Sequence, residues 1–401
     1  MKIFTKKSFA FLMVILMMFT LVACGGDKKE ETSAKTETVN TDGELVVGVT
    51  SFADTLEPTE QYFSWAITRY GVGENLVRFD EHGDLQASLA EEWKVSDDKL
   101  TWEFKIRDGV KFSNGNPLTA EAVKSSLERT FRKSKRADGF FKPTSIVADG
   151  QTLKISTEKP VAILPQCLAD PLFLIIDTSD NVEEYTTNAP ICTGPYVFKE
   201  FVPTEYAIVE RNENYWGGKA GLAKVTFKCI NDQSTRALSL KSGEIGVAYN
   251  LKIENKADFE GQDDINIQEL KSLRSTYAFM NQNGVLKDIA LRQALLRALN
   301  KKAYCENLLG GAATPGKAPI PPTLDFGFDK LVDENAYNPE SAKEILVKAG
   351  YKDVDGDGLR ENKDGSKLSV NFAARTRDDA NESLIQQYLL WWKEIGLDVQ
   401  L

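Results

Sequence analysis

The 401-residue chain is poor in the residues that most enzymes and metal sites rely on. It has a single histidine, His82, in the turn-like run Asp80-Glu81-His82-Gly83. One histidine cannot support a Ser/His/Asp triad or a zinc site with several imidazole ligands, so His82 reads as a solvated turn residue. Cysteine is scarce too: five in all, none at CxxC spacing. Basic charge is in deficit, with 49 Lys and Arg against 59 Asp and Glu and a net charge of −10, which argues against nucleic acid as a partner. Acidic residues are plentiful, but no spacing singles out two opposed carboxylates, so a surface hydrolase is the remote alternative and no enzymatic activity is expected. Nothing after position 22 reaches membrane-spanning length, and no internal repeat or long low-complexity segment occurs.

The N-terminus is rich where the rest is poor. Lys2, Lys6 and Lys7 precede an apolar run from Phe9 to Val22, the length of a signal h-region and short for a membrane span. The run ends in Leu21-Val22-Ala23-Cys24-Gly25, which resembles the lipobox of bacterial lipoproteins, so lipidation at Cys24 is expected. Four of the five methionines lie in the first 18 positions, setting this segment apart from the fold. From Gly25 to Thr41 almost no large apolar residue occurs, and the stretch reads as a flexible tether. Four cysteines remain beyond it, Cys167, Cys192, Cys229 and Cys305. They allow three pairings, and one disulfide (Cys167 with Cys192 first) and none both stay open.

About 360 residues follow the tether, enough for two or three domains. Glu44 to Val49 is an apolar, β-rich run. Leu100, Trp102, Phe104 and Ile106 alternate with polar residues, as do Val225, Phe227 and Cys229, which predicts half-buried strands and makes Cys229 a packing residue. Asn114-Gly115-Asn116-Pro117 is a turn, and Thr119 then stands where an N-cap belongs, with Val123, Leu127 and Phe131 on one helical face. Asn338-Pro339-Glu340 reads as N-cap, N1 proline and first-turn acid of a helix running through Ala342, Ile345 and Leu346 to Gly350. Strands and helices alternate, which predicts mixed α/β domains built around sheets.

The stretch from Ser88 to Val123 resembles the family 5 extracellular solute-binding proteins, which serve peptide, nickel and opine importers. The likeness rests on Leu89, Ala90, Trp93, Ile106, Arg107, Gly109, Val110, Phe112, Ser113, Gly115, Pro117, Thr119, Ala120, Glu121 and Val123 at the family's spacing. Three later stretches agree in order: Thr193-Gly194-Pro195-Tyr196 with Arg211 to Trp216; Leu291 to Leu295 with Asn300-Lys301-Lys302; and Tyr337-Asn338-Pro339 with Ala349-Gly350-Tyr351. The resemblance implies a periplasmic-binding-protein-like α/β fold (type II, cluster C) of two lobes with an extra domain in the first. It divides the chain into a signal peptide (1–23), a tether (24–43), lobe I (44–84 and 190–272), the additional domain (85–189) and lobe II (273–401). Because the chain stops one strand after the helix holding Trp391 and Trp392, the last lobe is expected to be incomplete and the chain a truncated product or fragment.

By the same resemblance, ligand contacts in both lobes favour closure of the cleft, and an ABC permease and ATPase complex reads the closed state. A lipid-anchored, monomeric receptor on the extracytoplasmic face of the cell membrane is implied, delivering a short peptide or a nickel or other metal chelate. A peptide-sensing signalling receptor of the same fold is the alternative. Tyr62, Phe63, Trp65 and Arg69, an aromatic-plus-cation segment, are the first candidates for the cleft, the alternative being that they pack the lobe core. Arg136 stands approximately where nickel-importer members use an arginine on a chelate's carboxylate. Gly139-Phe140 occupies the place of that group's tryptophan, however, and Phe173 that of its second arginine. Arg274, Tyr277 and Asn281 lie where the family strand crosses into the last lobe. Asp353, Asp355 and Asp357, with Gly358, resemble the start of a calcium loop or, equally, a solvated β-turn; no other cofactor is expected.

Overall fold

Leu45, Val46 and Val47 follow one another without polar interruption, the pattern of a strand covered on both faces. In the computed structural model, which describes residues 42–401 except 51–52, 181–182, 186–187, 325 and 376–378, that strand is interior to a sheet. The chain runs β1 (Glu44–Val49), α1 (Phe63–Arg69), β2 (Val77–Phe79), β3 (Leu85–Ala87), β4 (Ala90–Val95), β5 (Thr101–Ile106), α2 (Ala120–Lys133), β6 (Pro143–Asp149), β7 (Thr152–Thr157) and α3 (Leu164–Leu168). It continues through β8 (Tyr196–Val202), β9 (Tyr206–Arg211), β10 (Lys224–Cys229), α4 (Gln233–Lys241) and β11 (Val247–Ala248). Beyond these lie α5 (Ile289–Arg297), α6 (Pro339–Lys348), β12 (Val370–Asn371), α7 (Asp379–Glu394) and β13 (Val399–Gln400). The signal-peptide, lipobox and tether expectations, with Cys24, fall outside the described residues.

A five-stranded sheet has the order β11-β1-β10-β9-β8, with β1 parallel to both neighbours and the remaining pairs antiparallel. It joins residues 44–49 to residues 196–248, so everything between is an insertion from the sheet's viewpoint. The insertion holds the β2–β3 hairpin and an antiparallel sheet of order β4-β5-β7-β6. Helix α2 packs on β6 and β7. Thr119 caps it, its hydroxyl accepting from the Ala122 amide at 3.1 Å, and Val123 and Leu127 are buried beneath. The Asn114–Pro117 turn is pinned from outside: Asn114 Nδ2 and Asn116 Nδ2 each donate to Asp177 Oδ2 at 2.8 Å. Two cores result, one around Phe104, Phe112 and Phe173 in the inserted sheet, the other around Leu56, Ile67 and Val209 beside the five-stranded sheet.

The last region is built from helices. α5 packs on α6 and, with Trp392 and Leu397, closes a third core. Asp288 ties this region together, its carboxylate accepting from the Ala290 amide (2.9 Å), the Tyr351 hydroxyl (3.0 Å) and Lys363 Nζ (2.6 Å). The only sheet among the described residues here is the two-residue parallel pair β12–β13. The strand expected to cross at Arg274–Asn281 does not form. Among the described residues, no backbone–backbone hydrogen bond involves residues 266–283. An extended segment becomes a strand only when another segment's backbone takes up its N–H and C=O groups; among the described residues the run's one such long-range bond is from a side chain, Thr323 Oγ1 to the Ser272 carbonyl at 3.3 Å.

The possible Cys167–Cys192 disulfide does not form: both thiols are buried and unbonded to each other. Cys167 Sγ faces the Phe140 carbonyl and Cys192 Sγ faces that of Pro190, each thiol buried among apolar neighbours.

Candidate functional site

Helix α1 is two turns long, and its face arithmetic decides which side chains can meet a ligand. Phe63, Ala66, Ile67 and Tyr70 follow i, i+3, i+4, i+7 and are buried in the core beside the five-stranded sheet. Phe63 is only 5% exposed, so of the two readings open for it the structure places it in the core. Tyr62, Trp65 and Arg69 fall on the other face. Tyr62 is 56% exposed, Trp65 half-buried and Arg69 exposed.

These three continue into Arg136 without a break. The Arg69 guanidinium sits 5.3 Å from the Trp65 ring centre. Trp65 meets Tyr62 edge to face at 5.9 Å and 85°. The Arg136 guanidinium lies 4.0 Å over the Tyr62 ring and 6.0 Å from Phe140, and Arg136 Nη1 donates to the Gln61 carbonyl. Two guanidiniums thus bracket two perpendicular rings. Guanidinium stacked on an aromatic face keeps its charge and its in-plane N–H groups for a carboxylate while the rings offer apolar area. The carbonyl that holds Arg136 belongs to Gln61, whose φ of 42° is left-handed and costs a side-chain-bearing residue of order 1–2 kcal/mol.

The flank of the same helix, beside its apolar core face, carries under-satisfied polar groups. Ser64 Oγ, Trp65 Nε1 and Thr68 Oγ1 are buried without a hydrogen-bond partner among the described residues. Each such group costs about 1–3 kcal/mol, and clusters of them call for a functional explanation.

Arg274, Tyr277 and Asn281 are not drawn into this arrangement. All three are exposed on the unpaired run, where Tyr277 packs edgewise on Phe279 and Asn281 Oδ1 accepts from the Asn283 amide. No described hydrogen bond, ion pair or ring contact joins them to Tyr62, Trp65, Arg69 or Arg136.

Residues 84–401 match the family model of bacterial extracellular solute-binding proteins, family 5. The chain belongs to this family. It is 30% identical to the nickel-binding periplasmic protein of Escherichia coli over 82% of its own length and 65% of that relative's, so it spans just under two thirds of that protein. Among solved structures, NikA from Brucella suis in complex with Fe(III)-EDTA superposes with a TM-score of 0.77 at 26% identity, covering 90% of this chain and 74% of that one. The oligopeptide-binding protein AppA from Bacillus subtilis, in complex with a nonapeptide, gives 0.72 at 25% identity, covering 90% and 74%. The fold is the two-lobed α/β fold of these neighbours.

In this family 5 protein the residues that carry the resemblance serve structure. Thr193 Oγ1 and Trp216 Nε1 both donate to Glu74 Oε2, at 2.8 and 2.9 Å. Burial pushes the Glu74 carboxyl above its ordinary pKa, against the pull of those bonds. Gly194 lets the chain pass close by: a Cβ there would meet the Gly71 and Val72 carbonyl oxygens at 2.5 Å.

The acidic loop of this family 5 chain is brought together, ligand oxygens of Asp353, Asp355 and Asp357 lying within 4.8 Å of one another. Its carboxylates are already occupied by their own loop. Asp353 Oδ1 and Oδ2 accept from the Gly356 and Gly358 amides, Asp355 from that of Asp357, and Asp357 from that of Leu359.

Several participants carried no sequence signal. Gln61 contributes only a carbonyl, and Phe140 reads as a missing tryptophan. The Glu57–Arg129 ion pair behind the site joins residues 72 positions apart, a separation at which no spacing rule applies.

Proposed function

We propose that this protein is a solute receptor that captures a small carboxylate-bearing ligand, a short peptide or a metal chelate, and presents it to an ABC permease and ATPase complex. The observation that carries this reading is the run Arg69–Trp65–Tyr62–Arg136, in which Arg69 of α1 and Arg136, arriving from beyond the end of α2, flank two rings at the exposed face of α1. A carboxylate would pair with a guanidinium while the rest of the ligand covers ring surface. The unpartnered Ser64, Trp65 and Thr68 groups beneath supply further hydrogen-bonding capacity. Relatives named for nickel and for oligopeptides support both ligand classes.

No chemistry is asked of the protein. Its one histidine is an exposed turn residue, 77% accessible beside Glu81, and the family is one of solute-binding proteins. The Cys24 motif supports a receptor held by lipid at the extracytoplasmic face, where it would act as a monomer. Among the described residues no helix is long and apolar enough to cross a membrane.

Native mass spectrometry of the full chain from its own host, without refolding, tests the reading. A retained peptide or metal-bearing molecule, lost in Arg136→Met, is expected. A ligand retained equally by Arg136→Met and Tyr62→Ala would place binding elsewhere. Loss of membrane association in Cys24→Ala tests the anchor.

A further inference from the structure

We infer that the buried Glu57–Arg129 ion pair is a positioning clamp that holds Tyr62 and Arg136 in register, an inference that rests on the ligand site proposed above. The two side chains are 2% and 5% exposed and meet bidentately, Arg129 Nη1 with Glu57 Oε1 at 3.0 Å and Nη2 with Oε2 at 2.7 Å. Both groups make further hydrogen bonds. Glu57 Oε1 also accepts from the Thr59 amide (3.1 Å) and hydroxyl (2.5 Å), and Oε2 from the Tyr185 amide (3.3 Å). Arg129 Nη2 donates to the Glu183 carbonyl at 2.8 Å, and the guanidinium stands 5.2 Å over the Tyr185 ring.

Two short paths leave this pair and meet again at the ligand site. One runs from Glu57 through a turn, with the Glu60 amide on the Glu57 carbonyl and the Phe63 amide on that of Glu60, to Gln61 and Tyr62. The other leaves Arg129 through the end of α2, where the Ser134 amide closes on the Thr130 carbonyl and the Arg136 amide on Ser134 Oγ. They rejoin where Arg136 stacks on Tyr62 and donates to the Gln61 carbonyl. The loop so closed joins the segment beside the five-stranded sheet to the helix of the inserted sheet, and it is pinned at both ends.

A bidentate guanidinium–carboxylate pair fixes both distance and plane, which a single hydrogen bond does not. A buried ion pair adds little net stability over a well-packed apolar pair, and its best-attested use is to fix register. Here the register it fixes is that of a cation over a ring, neither of which it touches.

The test uses the full chain and two readouts. Arg129→Lys keeps the charge and removes the bidentate fork; Glu57→Met with Arg129→Met removes the buried charges together, which keeps the test open if the single variant fails to fold. Amide exchange needs no ligand: both variants are expected to exchange about tenfold faster in segments 57–65 and 134–141, with residues 206–211 of the five-stranded sheet unchanged. Binding of the two probes Ni(II)–L-histidine and tetraalanine supplies the second readout, with affinity for whichever probe wild type binds expected to fall about tenfold in the folded variants. Wild-type exchange at 57–65 in either folded variant overturns the clamp, and so does faster exchange spread evenly over residues 206–211. If wild type binds neither probe, the ligand reading fails by itself, and the exchange result still decides the clamp.

Discussion

Residues 44–250 and residues 264–401 obey the same local rules and reach different degrees of closure. Both contain well-capped helices: Thr119 caps α2, Asn338 Oδ1 caps α6 by accepting from the Ser341 amide at 2.9 Å, and Asp288 caps α5. Both contain segments patterned for strands. In the first region every such segment finds a partner, often far along the chain, as when β1 takes β10 on one edge and β11 on the other. In the second, the run 266–283 finds no backbone partner among the described residues and leaves Leu270 88% and Phe279 89% exposed. Caps and turns act within a few residues and so work anywhere, whereas a sheet exists only where distant backbone is delivered to it.

The largest expected effect tests whether the regions unfold separately. Phe173→Ala removes a ring packed against Phe131, Phe140 and Phe141, and Trp392→Ala removes one that packs on Phe372 and Tyr388 and donates to the Leu295 carbonyl at 3.0 Å. Each is expected to cost about 3–5 kcal/mol. Amide exchange should locate the damage: Trp392→Ala exposes residues 284–401 while β5 and β7 keep wild-type protection. Joint loss of protection would make the chain one cooperative unit and end the contrast.

That contrast also marks what the sequence makes legible. Thr119, Asn338 with Pro339, Gly350 and the Asn114–Pro117 turn are read directly, because each acts on backbone a few residues away. The Glu44–Val49 and Thr101–Ile106 strands are legible from alternation or apolar continuity. The α1 segment is half legible: its aromatic and basic content marks it, but only the helical phase separates buried Phe63 from exposed Tyr62 and Trp65. Arg136 meeting Tyr62 is a long-range event that spacing cannot show. Cys167 and Cys192 lie in different cores, so the parity of cysteines does not pair them.

Acid should weaken the first region through Glu57. Burial alone pushes its pKa up, yet the Arg129 and Thr59 hydrogen bonds and the Arg129 charge together hold it below the ordinary 4.5. A carboxylate depressed on folding contributes stability that is complete above its unfolded value and is lost as pH falls through the folded one. Lys133 and Glu183 lie alongside; within the buried pair Arg129 stays charged, and the neighbouring Tyr185 is pushed upward by burial, so the acid response of the pair itself comes from Glu57. Melting of wild type should therefore fall more steeply below pH 4.5 than that of Glu57→Gln. Parallel curves would remove Glu57 from the account.

Cap deletions sharpen the comparison at smaller energy. Thr119→Ala and Asn338→Ala each remove one side-chain acceptor and are each expected to cost about 1 kcal/mol. The readout differs: α2 lies against a sheet, on β6 and β7, whereas α6 lies against the single helix α5, so the first turn of α6 should exchange faster than that of α2. Equal fraying of the two would show that packing does not distinguish the regions.

The smallest effect concerns the acidic loop of the second region. Asp353 accepts from the Gly356 amide at 2.7 Å and the Gly358 amide at 3.0 Å, one on each oxygen. Asparagine keeps one acceptor and loses the charge, so Asp353→Asn should lower stability by about 0.5–1.5 kcal/mol, the worth of one hydrogen bond. The loop's amides already neutralise much of what a cation would otherwise attract, and calcium at about 1 mM should raise the wild-type melting temperature by less than about 1 °C. A larger rise that a chelator reverses, and that Asp353→Asn abolishes, would turn a self-satisfied turn into an ion site and give the second region a source of order that the first does not use.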